Sequence, residues 1–273
     1  MERLSGDIWV HGLTADGFPT ISAVVVTASR VFVVDTLTRP QDMQPVLELL
    51  DERAEGRRIV VVNTHHHWDH VYGNAAFPAV DIVAHRSCPR LITAQAMSAS
   101  ETIPLQPTEG VPLPTITFGD RLLYGDDDEH VHLLHAPGHT EDSLVVYLEK
   151  ARVLLGGDTV EWPLPNLTQR GGREAWITTL RRLKQLPVEQ VVPTHGPAMG
   201  KAIIDANERY VDAVYEAVAA AKAKGAGRGE LDLPAARFLL KCGFDLTGLD
   251  ASRFSNHDLV KERVTLHWYA ALD

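Results

Sequence analysis

The chain has 273 residues, 45% of them apolar and 23% charged, an ordinary globular composition long enough for one large core or for a domain with an appendage. Its formal charge of -10 is spread along the chain, which argues against a nucleic-acid backbone as partner, since such binders concentrate Lys and Arg, and which would weakly repel an anionic membrane surface. Cys88 and Cys242 are too few and too far apart for a disulfide framework and read as small buried thiols; with no apolar leader in Met1 to Asp7 and no apolar window approaching roughly eighteen residues, a cytoplasmic location is the expectation.

In chain order, Ile21 to Val26 and Val31 to Val34 flank Thr27-Ala28-Ser29-Arg30 and read as a hairpin. Gln44 to Leu50 has helical spacing. Ile59 to Val62 is a short apolar run and reads as a buried strand, with His65-His66-His67-Trp68-Asp69-His70 just beyond its C-terminal end. A strand at Asp81 to Ala84 and a helix at Arg86 to Met97 follow, then a loop over 99–115 with prolines at 104, 107, 112 and 114. Strands are expected at Ile116 to Phe118, Val131 to Leu134, Leu144 to Leu148 and Val153 to Leu155, a helix at 173–186 and a strand at Val188 to Val192. From Lys201 to Lys224 the chain is Ala-rich with helical period, and it breaks at Gly225-Ala226-Gly227-Arg228-Gly229. Leu233 to Lys241 and His257 to Leu272 read as further helices. Residues 1–200 are therefore read as a mixed α/β domain and 201–273 as a C-terminal α-helical extension.

The informative histidines share a context: each stands where an apolar strand gives way to a polar turn. His65, His67, Asp69 and His70 follow the strand ending at Val62; His139 lies in Pro137-Gly138-His139-Thr140; Asp158 lies in Gly157-Asp158-Thr159; His195 lies in Thr194-His195-Gly196. Neutral imidazole and carboxylate suit Zn2+ at roughly 2.0–2.2 Å, with an open position for water. A bound cation lowers that water's pKa to about 7. Two metals roughly 3.5–4 Å apart need a bridging carboxylate, and Asp158 is the candidate. Alternate residues of an extended stretch point the same way, so His65 and His67 can grip one ion while Asp69 and His70 turn towards a second.

The run His-x-His-x-Asp-His, with the three later turns, resembles the metallo-β-lactamase-fold hydrolase superfamily over roughly residues 5–200. The resemblance implies an α/β (α+β) fold, a four-layer αββα sandwich with the metal site along one edge of the sheets. Carried over by motif, His65, His67 and His139 would bind a first metal, Asp69, His70 and His195 a second, and Asp158 would bridge them. Asp35, in Val34-Asp35-Thr36, matches a position that supports the site from behind. Within the superfamily the chain is similar to the glyoxalase II-like and lactonase-like group, which keeps all seven ligands and often adds C-terminal helices; true metallo-β-lactamases generally lack the bridging Asp.

The implied reaction is hydrolysis of an ester, thioester or lactone by a metal-held hydroxide, with Asp69 both ligand and proton acceptor and two zinc ions as cofactor. Iron or manganese are the alternative metals. A mononuclear-iron sulfur dioxygenase-like oxidoreductase and a β-lactam hydrolase are the rival readings. The expected partner is a small-molecule substrate, not nucleic acid or membrane.

Other residues are set aside. His66 and Trp68 alternate with the ligands and are expected to point away, towards packing or the pocket rim. His130 and His132 share one face of a strand and read as solvated; His135 is divided between a supporting role and none; His11, His85, His257 and His267 have no motif around them. Tyr72, Trp162, Leu164 and Arg170 are expected to overhang the site, and segments 99–115 and 161–172 are candidate lids. The apolar face of helix 201–224 packs on the sandwich or, in the alternative reading, forms a homodimer interface.

Overall fold

The structure is a computed structural model that describes residues 1–15, 18–97, 110–162, 165 and 172–225. Its first sheet runs β1 (Glu2–Ser5), β2 (Ile8–Ala15), β3 (Phe18–Val26), β4 (Arg30–Val34), β5 (Arg58–Val62), β6 (Asp81–His85) and β7 (Ile116–Phe118), neighbours in that order. The first four form an antiparallel meander. From β4 onward the pairing is parallel, which demands crossovers; these carry α1 (Gln44–Arg53), the single turn α2 (Trp68–Val71) and α3 (Cys88–Met97). The second sheet holds β8 (Arg121–Gly125), β9 (His130–His135), β10 (Leu144–Leu148), β11 (Val153–Gly157), β12 (Gln190–Pro193) and β13 (Met199–Gly200), again in spatial sequence. Only β11 and β12 pair in parallel there, joined through α4 (Arg173–Leu183), and α5 (Ala202–Ala223) follows β13.

Side chains alternate across a strand, and the core is divided accordingly. Ala23, Val25, Phe32, Val34, Val60, Val62 and Val83 of the first sheet meet Val131, Leu133, Leu144, Val146, Leu148, Val153 and Leu155 of the second. The intervening residues Val24, Val31, Val33 and Val61 face the other way and pack on Val46, Leu49 and Leu50 of α1. On the far side, Val145, Tyr147, Leu154 and Val191 pack on Trp176, Leu180 and Leu183 of α4 and on Ile203, Ile204, Tyr210, Val211, Val214 and Val218 of α5. Strands buried on both faces read as continuous apolar runs, which is why β5, β10 and β11 were legible. The result is the expected layering of helix, sheet, sheet and helix.

Several elements differ from expectation. β1, β2 and β8 were not foreseen, since they lie towards the sheet margins and interleave polar residues such as Arg3, His11 and Arg121 with apolar ones. Helix 173–186 stops at Leu183, because Pro187 disfavours helical backbone before it, and the strand after it shifts to Gln190–Pro193. The helix placed at Arg86 begins at Cys88, with Pro89 in its first turn. The helices read at 233–241 and 257–272, Cys242, His257, His267, Leu164, Arg170, residues 99–109 and nearly all of 163–171 lie outside the described residues. Among the described residues no helix is long and apolar enough to cross a membrane.

Candidate metal centre

Strand register brings the site together. Val34 pairs with Val62 in the parallel ladder, so Asp35 and Thr64 emerge side by side beyond it. Gly157 pairs with Pro193, so Asp158 and His195 emerge together one and two residues on. The loop after β5 is tied to the second sheet where Leu144 N–H donates to the Thr64 carbonyl (2.8 Å). Two glycines make the close approaches. Gly157 has φ +51°, a left-handed turn that aims Asp158 inward, and a Cβ on Gly138 would lie 2.4 Å from the Trp176 ring, so only glycine lets His139 reach its place.

All seven sequence-derived residues converge as two adjoining groups, His65, His67, His139 and Asp158, and Asp69, His70 and His195. In the first, His67 Nδ1 lies 2.9 Å from both His65 Nε2 and His139 Nε2. Asp158 Oδ2 lies 3.7 Å from His65 Nε2 and 3.4 Å from His139 Nε2. In the second, Asp69 Oδ2 lies 3.5 Å from the Nε2 of both His70 and His195. Asp158 spans the two: its Oδ2 is 3.1 Å from His195 Nε2 and its Oδ1 is 3.4 Å from His70 Nε2.

This donor set fits divalent cations. Donors about 2.1 Å from one tetrahedral ion lie about 3.4 Å apart, close to the separations found. His70 Nε2 and Asp158 Oδ1 are buried facing each other at 3.4 Å with no well-formed hydrogen bond from either, an arrangement folded proteins rarely leave unless another group satisfies it.

Behind the donors stands a set of fixed partners. Asp35, buried and at φ +61°, accepts from Thr64 N–H and Oγ1 (both 2.7 Å) and from His70 Nδ1–H (2.8 Å), so His70 presents Nε2 to the centre. The Pro19 carbonyl accepts from His195 Nδ1–H at 2.7 Å and fixes that ring likewise. Glu161 Oε1 lies 3.4 Å from His139 Nδ1, both side chains fully buried. Glu161 is held in turn by Asn207 of α5, whose side chain accepts from the Glu161 N–H (3.0 Å) and donates to its carbonyl (2.9 Å). Asn63, Asn74 and Thr36 bind one another beneath α2 and fix the turn carrying Asp69 and His70. Sequence reading missed Glu161, Asn207, Asn63 and Asn74; a carboxylate three residues past Asp158 was the one available signal.

The two groups differ electrostatically. Burial and the neighbouring imidazoles push His65 and His67 well below the usual histidine range, the neutral form a metal takes. Burial opposes charge on His70 and His195 too, but Asp158 and Asp69 outweigh it, holding His70 well above its usual range and His195 up to about 10. Burial likewise opposes ionisation of Asp158, yet His195, His70 and His139 hold it well below the usual carboxylate range. Burial and the Asp158 charge push Glu161 up. The carboxylates thus demand positive charge, which protons on His70 and His195 supply and a bound cation would supply better.

The residues set aside resolve variously. His66 points away and meets Asp142 at 2.9 Å. His135 stacks on His85 (centroids 4.0 Å apart) and meets the Glu141 carbonyl, touching none of the seven. Tyr72 is buried beside Val71, Ala84 and Cys88, and Trp162 is buried with the core beneath α4 and α5. Both pack within the core, and Trp162 also lies close against Gly196, the residue after His195.

Residues 15–195 match the family model of the metallo-beta-lactamase superfamily. A type 2 metallo-beta-lactamase of Bacillus sp. (strain 170) is 25% identical over 214 residues, covering 75% of this chain and 79% of the relative. A hydroxyacylglutathione hydrolase of Thermosynechococcus vestitus is 30% identical over 150 residues, 55% of this chain and 53% of the relative, so the chain spans about half of that relative's length. The solved metallo-beta-lactamase from Pontibacter korlensis shares the fold, with a TM-score of 0.63 at 22% identity over 77% of this chain and 97% of that one. The chain belongs to the metallo-beta-lactamase superfamily and is a metal-dependent hydrolase.

Proposed function

We propose, with that membership as premise, that the chain is a dinuclear zinc hydrolase of the glyoxalase II-like type, cleaving a small thioester, ester or lactone. The observation that carries the reading is Asp158, which reaches donors of both groups: its Oδ2 lies near His139 of the first and His195 of the second, and its Oδ1 near His70 of the second. The likeness to a hydroxyacylglutathione hydrolase supports the substrate class.

His65, His67 and His139 would hold one ion and Asp69, His70 and His195 the other, with Asp158 shared. Two such ions polarise a carbonyl and make water acidic enough to attack near neutral pH. The chain's own residues do the rest. Asp35, Glu161 and the Pro19 carbonyl orient three of the imidazoles, so little reorganisation is left for the reaction itself. Asp69 is the more exposed of the two central carboxylates, at 15% against 4% for Asp158, and its Oδ2 stands between His70 and His195. In this reading it would accept the proton released when water attacks the carbonyl.

The test is zinc content and turnover of the wild type and Asp158→Ala on a panel of thioesters, lactones, β-lactams and phosphodiesters. The expected result is two zincs per chain at this centre, thioester or lactone cleavage, and loss of both in the variant. Full turnover in Asp158→Ala overturns the shared-ligand assignment; cleavage confined to β-lactams overturns the substrate class; one iron with oxygen consumption overturns the hydrolytic zinc reading.

A further inference from the structure

A second group of metal-type donors stands away from the centre, on the outer face of the second sheet. His130 and His132 lie two apart on β9, so both side chains leave the same face. Glu149 follows the last residue of β10, with its N–H on the His130 carbonyl at 3.1 Å, directly across from it. Both imidazoles reach one oxygen: His130 Nδ1 lies 3.1 Å and His132 Nε2 2.7 Å from Glu149 Oε2. One donor atom from each of the three falls within 4.8 Å of the others.

Three further observations bear on what this group binds. The paired strands fix the donors, since cross-strand neighbours sit about 5 Å apart and cannot drift. Asp126, Asp127, Asp128 and Glu129 immediately precede His130, with Asp126 paired to Arg30 and Glu129 accepting the His130, Lys150 and Ala151 N–H groups, so the start of β9 is anchored beside the donors. Tyr147, opposite His132 in the register, carries a buried hydroxyl with no hydrogen-bond partner, its ring 5.8 Å from the imidazole.

We propose that His130, His132 and Glu149 form a second metal site, taking a borderline divalent transition ion such as Zn2+ or Ni2+. Two imidazoles and one carboxylate suit such ions and leave a position for water. The side chains of His130 and Glu149 are 43% and 49% exposed, so the ion enters directly from solvent. Binding pins the start of β9 to the end of β10, and the site is separate in sequence and partners from the seven residues of the principal centre.

The experiment is equilibrium dialysis of the metal-free full chain against graded free Zn2+, with zinc per chain measured by elemental analysis. Six chains are compared: wild type, H130Q/H132Q, H132Q, E149Q, H65A/H139A and H65A/H139A combined with H130Q/H132Q. Wild type should bind one equivalent more than H130Q/H132Q. E149Q should hold that equivalent at least about tenfold more weakly, the lower bound for losing even a supporting residue. H65A/H139A should keep the surface equivalent and lose it when H130Q/H132Q is added. The readout is a difference between wild type and chains altered only at the surface group, so it is independent of the hydrolase reading, which the turnover of wild type and Asp158→Ala tests separately. Equal zinc in wild type and H130Q/H132Q, with both folded by circular dichroism, overturns the proposal and leaves the three residues an ordinary ion pair. H132Q alone serves as the milder variant, with the same expected loss.

Discussion

The buried centre and the surface group on β9 use the same residue types, imidazole and carboxylate, and differ in what stands behind them. At the centre His65, His70, His139 and His195 each have a partner for the nitrogen turned away from it: Thr64, Asp35, Glu161 and the Pro19 carbonyl. At the surface His130 and His132 both converge on Glu149. The first arrangement is held by loops beyond five strand ends and by α5, the second by two neighbouring strands alone. Partners behind the ligands orient them and raise metal affinity, so the surface group is expected to hold an ion more weakly than the centre.

The sharpest way to break this comparison is Asp158→Ala, the one change that removes a donor from both halves of the centre. Turnover should fall at least about a thousandfold, equivalent to about 4 kcal/mol of transition-state stabilisation. Steady-state kinetics beside metal analysis checks it. A loss confined to a few-fold would mean that the two groups of donors work independently.

Asp35→Asn comes next. The amide keeps the shape but offers one acceptor oxygen where the carboxylate serves Thr64 N–H, Thr64 Oγ1 and His70 Nδ1–H. Losing such a supporting partner costs metal affinity or turnover about 10–100-fold. Glu161→Gln should cost less, about tenfold in zinc affinity, because the amide retains packing and some hydrogen bonding to His139. Competition with a chromophoric chelator measures both. If both variants bind zinc like wild type, the partners behind the ligands do not matter and the contrast with the surface group fails.

The fold was legible where burial on both faces leaves a continuous apolar run, as in Val60 to Val62 and Leu144 to Leu148, and less so at the sheet margins, where β1, β2 and β8 were missed although the edge strand β7 was read at Ile116 to Phe118. The ligands were legible because chemistry constrains their identity and strand ends constrain their place. Their partners were not. Glu161 acts on His139 across a fold, Asn207 acts from 46 residues away, and Pro19 contributes only a backbone carbonyl, for which sequence carries no signal. Tyr72 shows the converse, buried beside Val71, Ala84 and Cys88, since nearness in sequence to a ligand does not set which way a large ring faces.

Chelation sharpens the comparison through pH. In metal-free protein His195 is raised from 6.5 to about 10 by Asp158 and Asp69 against the opposing effect of burial. A raised histidine contributes stability that is fully present below pH 6.5 and is lost as pH climbs through about 10. His70, raised by the same carboxylates, adds to that slope. Metal-free chain should therefore lose thermal stability between those limits. Zinc-loaded chain should stay flat over the same range, because bound metal replaces those protons. Melting curves at several pH values decide it, and identical slopes with and without zinc would mean that the carboxylates do not hold those protons.

The smallest effect belongs to the surface group. His132→Gln removes an imidazole that meets Glu149 at 2.7 Å, but the Glu149 side chain is 49% exposed, and exposed ion pairs contribute little because water already solvates both members. Without metal the melting temperature should move by no more than about 2 °C. With zinc added, wild type should gain stability by linkage, to the extent that free zinc exceeds the dissociation constant of the surface site, and His132→Gln should lack that part of the gain. A large destabilisation in the metal-free variant would place His132 among the structural partners of the fold. It would also erase the difference in scaffolding that separates this group from the buried centre.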